Sequence, residues 1–272
     1  MSIDAVTTPV AKSSASRGSG AVRRFVQRNG WSLGSVLVGL SIWEASARLL
    51  GSKLFLAAPT QVLAAFGPLW SSGELQKHMA TSGLEFVLGY ASACIIGVLL
   101  GFLMANSQPW KQALQPWVSG LYATPTVALA PLFILWFGVG IFSKVVVVAL
   151  LVVFPVIINT ETGLRQTPLQ LVEMVRSFGA TRRQIIMKVA LPAALPFIFA
   201  GLRLGIGRGL IGVVVAELFG ARAGLGQLIQ QSAETFNMPG LFAGVTVLAV
   251  AGIALTSGFV WLERKLIPWG QN

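Results

Sequence analysis

The sequence predicts an all-α integral membrane protein: six transmembrane helices, with a short helical cytoplasmic loop between the fourth and fifth. Three observations predict it. First, the 272-residue chain is 54% hydrophobic and only 11% charged, with a mean hydropathy of +0.75. Soluble domains carry roughly 25% charged residues, and a chain this poor in charge cannot cover its surface with polar groups. Second, apolar runs recur near 31–50, 84–105, 117–137, 144–162, 193–215 and 241–262. Each has about the ~20 residues that cross a ~30 Å hydrocarbon core. Third, the basic residues alternate between connections. With the N-terminus inside, the inner segments (the tail, 106–116, 163–192 and 263–272) hold thirteen of the 20 Lys and Arg residues. Lys and Arg gather on the cytoplasmic side of membrane proteins, so both termini are expected in the cytoplasm.

That bias accounts for the net charge of +11 without nucleic acid. The aromatic residues sit inside apolar runs, not among the basic clusters as stacking on bases requires. The single cysteine, Cys94, forms no intramolecular disulfide, and the single histidine, His78, has no Cys or His beside it. A metal site needs several such ligands, so none is expected, and no cofactor of the chain's own.

Residues 1–30 are rich in Ser and Ala, carry five basic residues and read as a disordered cytoplasmic tail. Arg23-Arg24 and Ala45-Ser46-Ala47 have the look of an export signal. Glu44 beside the cleavage position and the length of the run argue for a retained helix, with Arg48 one turn from Glu44 as its partner. In the outer segment 51–83, Thr60 is expected to cap a short interfacial helix. Gly97 and Gly101 in the second span, and Gly201, Gly205 and Gly209 in the fifth, let helices approach closely, within one subunit or between two. The third span contains Pro125 and Pro131, with Pro116 at its inner end. Interior prolines kink helices, and broken helices at membrane depth are tolerated beside protein or a wet cavity. Thr124 and Pro125 are therefore candidates for a pathway wall. The main domain runs over 31–265, with a short C-terminal tail, 266–272, in the cytoplasm.

The longest polar interval of the second half runs from Thr167 to Leu195. Pro168 can open a helix that places Leu171, Val175 and Phe178 on one face. Gly179 permits a reversal, because glycine alone takes positive φ freely. Thr181 can cap a second helix that reaches Leu191-Pro192, where the fifth span begins. Two short helices joined at a glycine make a compact basic knob.

These residues carry a resemblance. Glu173, three residues between Val175 and Gly179, nine more, then Val189-Ala190-Leu191-Pro192 resemble the EAA loop of bacterial ABC importer permeases. Met174 and Val175 replace the two alanines of that pattern, and Val189 replaces an isoleucine. The run Thr124 to Lys144 is similar to the nitrate, sulfonate and taurine group of such permeases. So are Phe154-Pro155 with Ile158-Asn159-Thr160, Gly201-Leu202-Arg203, and Val214 to Glu217. The similarity covers about residues 55–265. It implies a type I importer in the bacterial inner membrane. Two permease subunits, expected as a homodimer, form the pathway within membrane lipid. Two ATPase subunits bind ATP and Mg from below, and an extracytoplasmic solute-binding protein delivers solute from above. The loop 167–192 would seat in the ATPase through Glu173, Met174, Val175, Ser177, Phe178, Gly179, Ala180 and Arg182. The residues agree with that division of labour: the chain has no G-x-x-x-x-G-K-[ST] and no Gly-Lys pair, so it cannot cradle ATP phosphates in a P-loop.

Arg203 and Arg208 fall inside the fifth span. Charge in a bilayer is costly, by at least ~2.5 kcal/mol, and takes a partner. Glu161, Glu217 or Glu44 can supply one; otherwise the arginines face the pathway and attract a small anionic solute. Pathway candidates are thus Thr124, Pro125, Arg203, Arg208 and Glu217. A stand-alone secondary transporter or channel would need carboxylates at mid-membrane, whereas Glu44, Glu161 and Glu217 lie toward span ends. An integral-membrane enzyme would need catalytic side chains gathered together, and none are.

Overall fold

The computed structural model describes residues 19–49 and 55–267. Every regular element among them is helical. The chain forms two units, residues 1–52 and 53–272. Within the first lies helix α1 (Ser19–Leu49), where Arg48 and Glu44 pair at 2.6 Å. The helix begins inside the stretch expected as a disordered tail. Residues 1–18 of that stretch, and 268–272 of the C-terminal tail, lie outside the described residues.

The second unit contains α2 (Pro59–Ser71), α3 (Glu74–Asn106), α4 (Gln108–Ala123), α5 (Ala130–Phe137) and α6 (Ile141–Arg165). There follow α7 (Leu169–Ser177), α8 (Arg182–Ile185), α9 (Leu191–Leu218), α10 (Leu225–Glu234) and α11 (Met238–Leu266). Helices α3, α6, α8 joined to α9, and α11 are long and apolar enough to cross a membrane. The pair α4 and α5 adds a fifth crossing if counted as one span. α1 is long enough at 31 residues, but its apolar run is shared with Glu44 and Arg48, and it is not among these.

Helix α6 is the centre of the unit, packed along its length against α3 on one side and α9 on the other. Phe86 and Ala93 of α3, Val148, Val152 and Val156 of α6, and Ile206 and Val213 of α9 make one buried cluster. In lipid, helices gain little by hiding apolar surface; close van der Waals contact holds them, and small residues permit it. A Cβ on Gly97 or Gly101 would stand 2.8 Å from Val156 Cβ or 2.6 Å from Thr160 Cβ of α6. Gly201, Gly205 and Gly209 of α9 meet Asn159, Val152 and Phe86 at 2.7–2.9 Å in the same way. These glycines serve packing within the chain.

Two expectations about the elements are corrected. Thr60 does not cap α2. The helix starts two residues earlier, at Pro59 with Ala58 as its N-cap, and Gln61 Oε1 accepts the Ala58 N–H at 3.1 Å. The second span begins at Glu74, well before the apolar run, because the polar stretch ELQKHM continues the same helix. The third span is broken in two, with a bend of 87°. Pro125 lacks an N–H and drives the preceding residue out of the α region; Thr124 is extended at φ −72°, ψ 139°. Pro131 sits harmlessly in the first turn of α5, while Pro116 lies inside α4.

Candidate functional site

The loop between α6 and α9 is a helical hairpin. α7 closes with Gly179 N–H donating to Arg176 O at 2.9 Å and Ala180 N–H to Val175 O at 3.3 Å. The chain reverses at Gly179, φ +80°, a conformation that a Cβ opposes. Thr181 then caps α8: its Oγ1 accepts the Gln184 N–H at 3.4 Å, and Gln184 Oε1 accepts the Thr181 N–H at 2.8 Å. Between α8 and α9 lies a π-helical turn, Ile186–Ala190. Its cause is Pro192, which has no N–H to offer the Lys188 carbonyl; the Leu191 N–H bonds Ile186 O instead. Helical backbone is therefore continuous from Arg182 to Leu218.

Glu173, Met174, Ser177, Phe178, Gly179 and Arg182 are exposed, and Val175 and Ala180 are half-buried. The face expected to group Leu171, Val175 and Phe178 is divided: Val172 and Val175 turn partly inward, while Phe178 is 83% exposed. Arg182 Nη2 donates to the Asn106 carbonyl at 2.7 Å, which ties the hairpin to the α3–α4 junction. Arg165, at the end of α6, reaches the same junction through Met104 O and Gln108 Oε1, both at 3.4 Å.

Two cavities lie along α4 and α6. The one nearer the hairpin is about 500 Å³ and is lined by Lys111, Gln115, Ser119, Tyr122, Glu161 and Arg165, among others. Glu161 pairs there with Lys111 at 2.8 Å and Arg165 at 3.1 Å. The farther one is about 310 Å³, at the α4–α5 break, and includes Tyr122, Thr124, Pro125, Leu151, Phe154 and Arg208. Tyr122 borders both. The structure thus brings together three of the five pathway candidates: Thr124, Pro125 and Arg208.

Arg203 and Glu217 line neither cavity. Arg203 donates to Glu263 of α11 at 3.3 Å, a partner outside the three carboxylates expected from the sequence. Glu217 is fully buried. Its carboxylate accepts Ser82 Oγ–H at 2.5 Å and the Gly226 N–H at 2.6 Å. Ser82 Oγ in turn accepts the Leu225 N–H at 2.7 Å, and His78 Nδ1 accepts the Gly224 N–H at 2.9 Å. This network seats the connection after α9 on α3. Beside it Lys144 Nζ donates to Glu85 Oε1 at 2.8 Å, both side chains being almost fully buried. Tyr122, Lys111 and Glu85 are the residues that sequence reasoning missed. Their partners, Arg208, Glu161 and Lys144, are far away along the chain, and no local pattern marks them.

Residues 97–268 match the family described as "Binding-protein-dependent transport system inner membrane component". The chain is 38% identical over 250 residues to the putative aliphatic sulfonates transport permease protein SsuC of Bacillus subtilis, covering 90% of each. It is 35% identical to the formylaminopyrimidine transport permease protein ThiX of Halalkalibacterium halodurans, over 87% of this chain and 94% of that one. With the taurine transport system permease protein TauC of Escherichia coli it shares 34% identity, over 88% and 89%. Among solved structures, the inward-facing MetNI methionine ABC transporter aligns with a TM-score of 0.57 at 20% identity. That alignment covers 74% of this chain and 97% of that one, and shows a shared fold. The chain belongs to the family of binding-protein-dependent inner membrane transport components: it is the permease subunit of an ATP-driven importer whose ATP is hydrolysed by a separate subunit.

Proposed function

We propose that this subunit passes a small anion through the cavities along α4 and α6, and that the 167–192 hairpin seats in a cleft of the ATPase. The observation that carries the docking role is the hairpin's surface. It is rigidly built, yet Phe178 is 83% and Met174 51% exposed, on an element too polar for lipid. Large apolar side chains held in the open mark a surface that a partner covers. ATP and Mg belong to that partner. Two copies of the chain enclose the pathway, a solute-binding protein delivers the solute from outside, and both termini lie in the cytoplasm. The anion is supported by charge: each cavity is lined by one more cation than carboxylates. Relatives named for aliphatic sulfonates and taurine agree with it, while one named for a pyrimidine leaves the choice to the cavity itself.

The test is coupling. Gly179→Trp forces a Cβ into a positive-φ position, and Glu173→Lys reverses charge on the docking face; both sites are exposed, so the spans still insert. Import by the reconstituted complex is expected to fall about 5- to 150-fold, the range that ~1–3 kcal/mol of coupling free energy spans, while ATP turnover continues. Import at the normal rate in both variants overturns the docking role.

A further inference from the structure

Arg208 differs from the four cations that hold ion pairs within the α3–α11 bundle. Lys111, Lys144, Arg165 and Arg203 each have a carboxylate within 3.3 Å. Among the described residues no carboxylate pairs with Arg208. Its Nη2 donates to Tyr122 Oη at 3.2 Å, and its Cζ stands 5.2 Å above the centroid of the same ring. The ring is fixed in turn edge-on to Phe154, centroids 6.4 Å apart. A guanidinium has five N–H donors; one is used here. Holding it over an aromatic face keeps its charge at the cavity wall without neutralising it. The Thr124 hydroxyl is spent on the Gly120 carbonyl at 2.9 Å; Pro125, Val127, Leu151 and Phe154 supply apolar wall, and Thr126 adds a second hydroxyl-bearing residue.

A single planar cation in about 310 Å³, with apolar side chains and hydroxyls around it, is complementary to one chemical class. That class is a small oxyanion on a short apolar stem, whose head group the guanidinium fork can engage. On the reading that this cavity belongs to the pathway, we infer that Arg208, positioned by Tyr122, is the residue that selects anions over cations there. Arg203, neutralised by Glu263, has no part in the selection.

The experiment uses the assembled complex in membrane vesicles. A thiol is introduced into the cavity by Thr124→Cys on a Cys94→Ser background. Its rates of modification by 2-sulfonatoethyl and 2-trimethylammonioethyl methanethiosulfonate are compared. The sulfonate reagent is itself a short-stemmed oxyanion. It is expected to react faster, and Arg208→Gln to cut the anion-to-cation ratio by about fivefold or more, the weight of one unit charge at close range in water. Arg208→Lys, which keeps the charge, should keep most of the preference. If Arg208→Gln fails to assemble, ethanesulfonate is expected to protect the introduced thiol in the Arg208 protein and choline is not. A ratio that survives Arg208→Gln, or equal protection by choline, overturns the inference; the pathway reading still stands in that case, because both reagents have reached the thiol. If neither reagent reaches the thiol at position 124, with or without ATP, the pathway reading fails and the inference with it.

Discussion

Glu85 and Lys144 show how much a single residue can carry that no local pattern announces. Their side chains are 1% and 8% exposed and meet at 2.8 Å; 59 positions separate them. Removing one member of a buried ion pair strands the other, at a cost of about 3–5 kcal/mol, whereas replacing both with apolar residues is often nearly neutral. Glu85→Ala is therefore expected to lower the unfolding midpoint in detergent steeply, and Glu85→Leu with Lys144→Met to recover most of the loss. Additive losses in the double variant would show that the pair contributes nothing as a pair. The same limit governs the arginines. Span chemistry says that Arg203 and Arg208 need partners, and nothing in the local sequence says that these are Glu263 and Tyr122. Glu44 with Arg48 is legible because the two stand one turn apart on one helix.

At the scale of elements, what can be read from the sequence is what local rules decide. Gly179 and Thr181 announce the hairpin because a reversal and an N-cap each require particular side chains. The polar ELQKHM stretch hides the start of α3, and the amphipathic α10 has no apolar run to announce it. Both are helices held by tertiary contacts: Leu75 packs with Leu225 and Leu228 in one buried cluster. The hairpin is joined to the bundle by the chain leaving α6, by a continuous helix into α9, which carries Arg208, and by the bond from Arg182 to the α3–α4 junction. Under the proposed docking role, a push on the hairpin would be passed along these attachments toward the cavity at the α4–α5 break. α3 and α6 approach each other closely at their glycines. A Cβ at Gly101 meets the Ile157 carbonyl at 2.7 Å as well as Thr160, and a backbone atom cannot step aside. Gly101→Ala is expected to cost about 1–3 kcal/mol by overpacking. Gly258→Ala on α11, where nothing lies within 4 Å, should be neutral or stabilising, since Ala exceeds Gly in helix propensity by ~1 kcal/mol. Equal midpoints for the two variants would contradict the packing account.

For the whole molecule, the family settles which class of transporter the chain serves and sets aside a stand-alone carrier. A subunit without a P-loop takes its energy from a partner, so the physical question is where force enters. The proposed entrance is the hairpin, and Phe178 is its most exposed large apolar side chain. Replacing Phe178 with a photo-crosslinking phenylalanine analogue in the full complex, in native membranes, tests this most directly. The account predicts a crosslink to the ATPase subunit whose yield changes between ATP-bound and nucleotide-free states. A crosslink only to lipid or to the solute-binding protein, or labelling of this position by an impermeant reagent from outside the cell, would contradict it.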